Sequence, residues 1–201
     1  MTELTDFLRK APAQERARQT MEYIFEATAQ LLDSDRADKL NTNRIAERAG
    51  FSIGTIYSYF TNKDALLRAM ALRELQIYEQ RFNAQIDAAS GKDPAAVVRV
   101  LVRQVLAPFG ARQRVRRHML LLVGSDPAVQ ASVHEAIDRM TGRLLDGLGI
   151  GPDELSRERR YLLLRSALGP VRAAVLQAPL RITSLEFEDE LVQLVMSLLG
   201  K

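Results

Sequence analysis

Cysteine is absent from the chain, which excludes a disulfide scaffold, a thiolate metal site and a cysteine nucleophile. Only two histidines are present, His118 and His134. No glycine-rich phosphate loop, Ser-x-x-Lys pair or carboxylate pair embedded with histidine occurs, so no enzyme and no cofactor is expected. Long hydrophobic runs are missing too. The most apolar stretch, Tyr161 to Leu176, is broken by Arg165 and Arg172 and is too short to span a bilayer comfortably. The first fifteen residues hold no apolar core of a secretory signal. A cytoplasmic protein without a membrane partner is the expectation. Strand-like alternation, internal repeats and low-complexity tracts are also lacking.

What is present is enough for a packed core: 201 residues, 47% of them apolar and 26% charged. The balance of 28 basic and 25 acidic side chains leaves a net charge of +3, a weak pointer to nucleic acid. Residues 1–75 carry eleven of each sign, so any nucleic-acid function must rest on a motif rather than on bulk charge. Apolar residues recur at helical spacing, as at Met21, Ile24, Phe25, Thr28, Leu31 and Leu32. Asp93-Pro94 and Asp126-Pro127 each place a capping Asp before a proline that suits a first helical turn. Thr183 with Glu186 has the spacing of a capping box for the last helix. The expected fold is all-α with about nine helices. Its N-terminal domain spans 1–75, and a second helical domain spans 76–201.

The informative stretch is Asn41 to Met70, NTNRIAERAGFSIGTIYSYFTNKDALLRAM. It reads as two short helices, Thr42–Ala49 and Ile53–Phe60, meeting at a tight turn. Ala46 is small where the second helix crosses, and Gly50 suits a turn needing positive φ. Ser52 is a natural cap for the second helix. Ile45, Ala49, Ile56 and Phe60 give both helices apolar inner faces. This is helix-turn-helix patterning, in which the second helix enters the major groove of DNA. Its outer face carries Ser52, Thr55, Ser58, Tyr57 and Tyr59, while Gly54 lets backbone approach a partner. Lys63 opens the next helix, where the helix dipole already favours an anion. Hydroxyls, helix N-termini and a lysine are groups that hold phosphate. A solvated hairpin with packing tyrosines is the plainer alternative.

The run TNRIAERAGFSIGTIYSYFTNKDALL resembles the DNA-binding segment of the TetR/AcrR family of bacterial transcriptional regulators. The upstream RKAPAQERARQTMEYIFEATAQLL is similar to that family's basic arm and first helix. The resemblance implies a ligand-responsive repressor that binds a palindromic double-stranded DNA operator as a homodimer. It makes Ile53–Phe60 the recognition helix, with Thr42, Tyr57, Tyr59 and Lys63 on phosphates. Arg44, Ser52, Ile53 and Thr55 would contact bases or nearby backbone, with Gly54 allowing close approach. Arg16 and Arg18 would add phosphate contacts from the arm, and Arg9 and Lys10 would reach the minor groove. Phe51 departs from the family's usual valine in the turn. A helical adaptor using the hairpin for protein contacts is the alternative function.

Beyond residue 75, the family implies a helical effector and dimerisation domain. Tyr161, Leu164, Leu168, Val171 and Val175 follow helical spacing, as do Phe187, Leu191, Leu194 and Leu198. Two such seams suit a four-helix bundle between protomers, and equally packing on their own domain. The expected dimer interface comprises Tyr161, Leu164, Leu168, Val175, Leu191, Leu194 and Leu198. An apolar pocket for a small-molecule effector is expected among Phe82, Ile86, Leu106, Phe109, Met119, Ile137 and Met140. Arg103, His118 and Gln85 are its candidate polar partners. The cluster Arg112, Arg114, Arg116, Arg117 and His118 reads as a solvated face. His134 and Asp138 lie one turn apart but lack a third ligand, so no metal is expected.

Overall fold

The computed structural model describes residues 15–34, 39–89, 91–110, 112–177 and 179–200. Among these are nine α-helices and no β-strand. They are α1 (Glu15–Asp33), α2 (Thr42–Ala49), α3 (Ile53–Tyr59), α4 (Lys63–Asp87) and α5 (Pro94–Leu106), then α6 (Gln113–Ser125), α7 (Pro127–Gly147), α8 (Arg157–Gln177) and α9 (Leu185–Leu199). The all-α expectation holds. Short 3-10 turns follow α5 at Ala107–Gly110 and precede α9 at Pro179–Thr183.

Helix starts are fixed by side chains that satisfy otherwise orphaned backbone N–H groups. Asp93 accepts from the Ala96 amide at 3.1 Å, and Asp126 from the amides of Ala128 and Val129 at 3.0 and 3.2 Å. The cap of α9 is Ser184, which accepts from the Phe187 amide at 3.1 Å. Thr183 instead ends the preceding 3-10 turn, so the cap falls one residue later than expected, and with Phe187 three residues after it the expected capping box does not form.

The chain divides into two compact units: residues up to 75 with 118–132, and residues 76–117 with 133–201. Segment 118–132 thus groups with the first unit although it lies well beyond residue 75. One tie within that unit is Arg68, whose guanidinium pairs with the buried carboxylate of Asp126. The first unit's core joins Ile24, Phe25 and Leu32 of α1 to Ile45, Ile56, Phe60 and Leu66. The rings of Phe25 and Phe60 meet with centroids 5.8 Å apart in a tilted pair. Arg73 of α4 grips the carboxylate of Glu22 of α1 with two N–H donors.

In the second unit α9 packs on α5 and α8. Phe82, Val98, Leu144, Leu145, Leu163 and Val195 are core side chains there. Gly147 matters sterically, because a Cβ at this position would clash with Cγ2 of Ile86.

Candidate nucleic-acid interface and apolar cavity

The first unit builds its outer surface from the turn upward. Asn41 caps α2 by accepting from the Arg44 amide at 3.0 Å. Gly50 ends α2 in the left-handed region (φ 72°), and the Phe51 amide donates to Ala46 O at 3.0 Å. Only glycine takes this conformation without strain. Ser52 then caps α3, accepting from the Thr55 amide at 3.1 Å. Ile45, Ala46, Ile56 and Phe60 are buried, so both helices turn their apolar faces inward. Phe51 is half-buried and meets the Tyr23 ring at a centroid distance of 6.4 Å. The larger turn residue is therefore accommodated against α1.

With the inner face committed, the hydroxyl-bearing face of α3 points outward. Ser52, Ile53, Gly54, Tyr57 and Ser58 are exposed, and Thr55 and Tyr59 are half-buried. The hydroxyls of Thr42 and Tyr57 share a hydrogen bond at 3.2 Å, which joins the start of α2 to the middle of α3. The Ser52 and Thr55 hydroxyls lie 3.0 Å apart, and Ser58 donates to Thr55 O at 2.7 Å. A Cβ added at Gly54 would meet only Ser52 Oγ, at 3.6 Å, so the backbone there is open to approach. Arg44 is half-buried, with one guanidinium nitrogen donating to Lys39 O at 3.2 Å. Lys63 is exposed at the first position of α4, which is capped by Asn62 accepting from the Ala65 amide at 2.8 Å. Burial, then the Lys63 charge, holds the His118 imidazole below its ordinary pKa. Arg16 and Arg18 are exposed in the first turn of α1, whereas Arg9 and Lys10 lie outside the described residues.

Neither Asn41 nor Asn62 is expected as a helix cap in the sequence reading. Each stands directly before a helix, the position where Asn is among the preferred caps, and that signal would have found both.

The second unit holds an apolar cavity of about 50 Å³ that is partly open to the surface. Its walls come from Tyr78 and Phe82 of α4, Val98, Leu101, Val102 and Val105 of α5, and Ile137, Met140 and Leu144 of α7. Leu164, Ala167 and Leu168 of α8 and Val195 of α9 complete it. Of the expected pocket residues, Phe82, Ile137 and Met140 are brought together. Ile86 and Leu106 are buried outside this lining, and Met119 is buried in the first unit. The Phe109 side chain lies outside the described residues. Neither Arg103, Gln85 nor His118 lines the cavity; its polar group is the Tyr78 phenol, whose pKa burial pushes well above the ordinary value.

The expected dimer residues divide as well. Leu164 and Leu168 face the cavity, and Val175 and Leu191 are buried within their own unit. Leu198 is half-buried. Tyr161 and Leu194 are exposed, at 60% and 36%, with Leu162 beside them at 45%. His134 is exposed, and Asp138 accepts from Arg165 at 2.8 Å. No cluster of three or more metal-ligating side chains occurs among the described residues. No helix among them is long and apolar enough to cross a membrane.

Residues 24–70 match the family model of the bacterial regulatory proteins, tetR family. A curated HTH-type transcriptional regulator from Haemophilus influenzae is 35% identical over 66 residues, 33% of this chain and 35% of that protein. The match thus spans about a third of that relative's length. A TetR-family regulator from Streptomyces coelicolor superposes with a TM-score of 0.60 at 26% identity, covering 90% of this chain and 98% of that one. A TetR regulator from Rhodococcus sp. RHA1 gives 0.64 at 22%, covering 92% and 97%. Thermus thermophilus FadR, a TetR-family repressor solved in complex with lauroyl-CoA, gives 0.65 at 20%, covering 90% and 93%.

Proposed function

We propose that this chain, whose residues 24–70 and fold are those of the TetR family, is a ligand-responsive, DNA-binding transcriptional repressor. The observation that carries this reading is the outward face of α3. It is capped by Ser52, joined to α2 through the Thr42–Tyr57 hydroxyl pair and followed by exposed Lys63. Hydroxyls and a lysine beside a helix N-terminus fit phosphate oxygens, while Ile53 and Thr55 suit the floor of the major groove. In this reading α3 enters that groove, with Tyr57, Tyr59, Thr42 and Lys63 on the backbone. Arg44 leaves Lys39 O to reach a base edge, and Arg16 and Arg18 add phosphate contacts.

Two copies would read a palindromic operator, with half-sites about 34–36 Å apart. Support for a dimer surface on α8 and α9 comes from exposed Tyr161, Leu162 and Leu194. The second unit would bind a small-molecule effector in its cavity. Because α4 supplies residues to both units, a ligand that favours one position of α4 would alter operator affinity. Cytoplasmic location belongs to the same proposal.

The test is salt-titrated binding to genomic DNA fragments recovered with the protein. Affinity should fall steeply with salt, and Lys63→Ala should weaken all sites alike and reduce the salt slope by about one unit. Arg44→Ala should instead relax sequence preference. A helical adaptor predicts no salt-dependent DNA retention, and unchanged affinity in both variants would overturn the DNA-binding reading.

A further inference from the structure

The cavity in the second unit shows what its occupant must be made of. Twelve of its thirteen lining side chains are hydrocarbon or thioether, and the remaining one is Tyr78. An ion placed among them would lose its hydration and gain no partner, at a cost far above that of a neutral group. Five arginines on the surrounding helices are already engaged by carboxylates. Arg99 and Arg103 both donate to the buried Glu188, at 3.0 and 2.8 Å. Arg139 pairs with both oxygens of Glu79, Arg143 with Asp87, and Arg165 with Asp138. An anionic head group seeking one of these five guanidiniums would have to break its pair.

We infer that the cavity takes an uncharged, mainly hydrocarbon ligand carrying at most one hydroxyl or carbonyl group, which meets the Tyr78 phenol. This rests on the reading of the second unit as an effector-binding domain and gives that effector its chemical class. Burial keeps the phenol protonated far beyond neutrality, so it serves as donor or acceptor to a neutral oxygen. At about 50 Å³ the space admits only a few water-sized groups, and a larger ligand must displace side chains. Met140, unbranched and flexible, and the neighbouring Leu164 and Leu168 on α8 supply the room.

Three compact probes separate the chemistry at constant shape: cyclohexylmethanol, cyclohexanecarboxylate and cyclohexylammonium. Each is titrated calorimetrically at pH 7.5 into the full chain without DNA. The alcohol should bind at least tenfold more tightly than either ion. Ala167→Phe, which fills the cavity, should abolish that binding. Tyr78→Phe, which keeps the ring, should weaken the alcohol several-fold while leaving methylcyclohexane unchanged. Equal or tighter binding of either ion would overturn the inference, as would alcohol binding that survives both substitutions. Operator release is measured separately. Alcohol bound in the cavity without any change in DNA affinity supports the ligand class and sinks the effector reading.

Discussion

The two units use their polar side chains in opposite ways. In the first, α2, α3 and α4 start at the side-chain caps Asn41, Ser52 and Asn62, and hydroxyls, Lys63 and the first-turn arginines face outward. In the second, the guanidiniums of Arg99, Arg103, Arg139, Arg143 and Arg165 are all tied to carboxylates on other helices. Behind those pairs lies an apolar interior with an unfilled space. On the proposed reading, a phosphate-binding surface has to leave its donors available, whereas a chamber for a neutral molecule gains from neutralised surroundings. The difference also predicts where each unit is fragile: the first in its small core and caps, the second in its tight helix contacts.

The largest effect should come from the first unit's core. Phe60 is fully buried against Phe25, and the short α2 and α3 have few other large anchors. Phe60→Ala should cost about 3–5 kcal/mol, enough to unfold a small unit. Hydrogen exchange should show protection lost in 15–75, together with DNA binding. If exchange stays slow there, α2 and α3 are held by something other than this ring pair.

The second unit should break by overfilling. Gly147→Ala would set a Cβ against Ile86 closer than van der Waals distance allows, and should cost about 1–3 kcal/mol. Ile86→Ala removes the Cγ2 that the new Cβ meets, so the double variant should lose clearly less than the sum of the two single variants, as read by thermal melting. Strictly additive losses would locate the strain elsewhere in α7.

Smaller still is the effect of a cap. Ser52→Ala removes the acceptor for the Thr55 amide and should cost about 1 kcal/mol. Its sharper signature is functional, since fraying the first turn of α3 should weaken DNA binding more than global stability. Ser52→Asn keeps a capping acceptor and should retain the structure.

These contrasts also explain what the sequence could and could not reveal. The turn of the first unit was readable because each step is local: Gly50 for the turn, Ser52 for the cap, and Ile56 and Phe60 for the inner face all lie within eleven residues. The fold class and helix starts at Asp93 and Asp126 were readable for the same reason. Periodicity in α8 and α9 marks a face that is buried but not what buries it. Hence packing between protomers and packing within one domain both stayed open for these residues; within one chain Leu164 and Leu168 line the cavity, and Val175 and Leu191 are buried. The ion pairs between helices of the second unit join residues 27 to 90 positions apart, beyond any local spacing rule. Met119 illustrates the remaining limit, because its helix supplies residues to both units and apolar character alone does not assign it to either.

The smallest effect at neutral pH, and one that grows only in acid, concerns Asp126. Burial alone would raise its carboxyl pKa, but the Arg68 guanidinium and the amides of Val129 and Ala128 outweigh burial and hold it below the ordinary value. A carboxyl whose folded pKa is depressed stabilises the fold above its unfolded pKa, about 3.9, and loses that contribution as pH falls through the folded value. Asp126→Asn keeps an acceptor for the α7 amides while removing the charge that Arg68 meets. The variant should therefore melt somewhat below the parent near pH 7, and the gap should close as the pH is lowered below about 4. Arg68→Gln should trace the same convergence from the other side of the pair, since its stabilisation needs an ionised Asp126. Melting curves of the parent and both variants between pH 3 and 7 provide the check. A gap that stays constant across that range would mean that the Arg68–Asp126 pair contributes through packing rather than charge, and that the first unit, like the second, is limited by how tightly its helices meet.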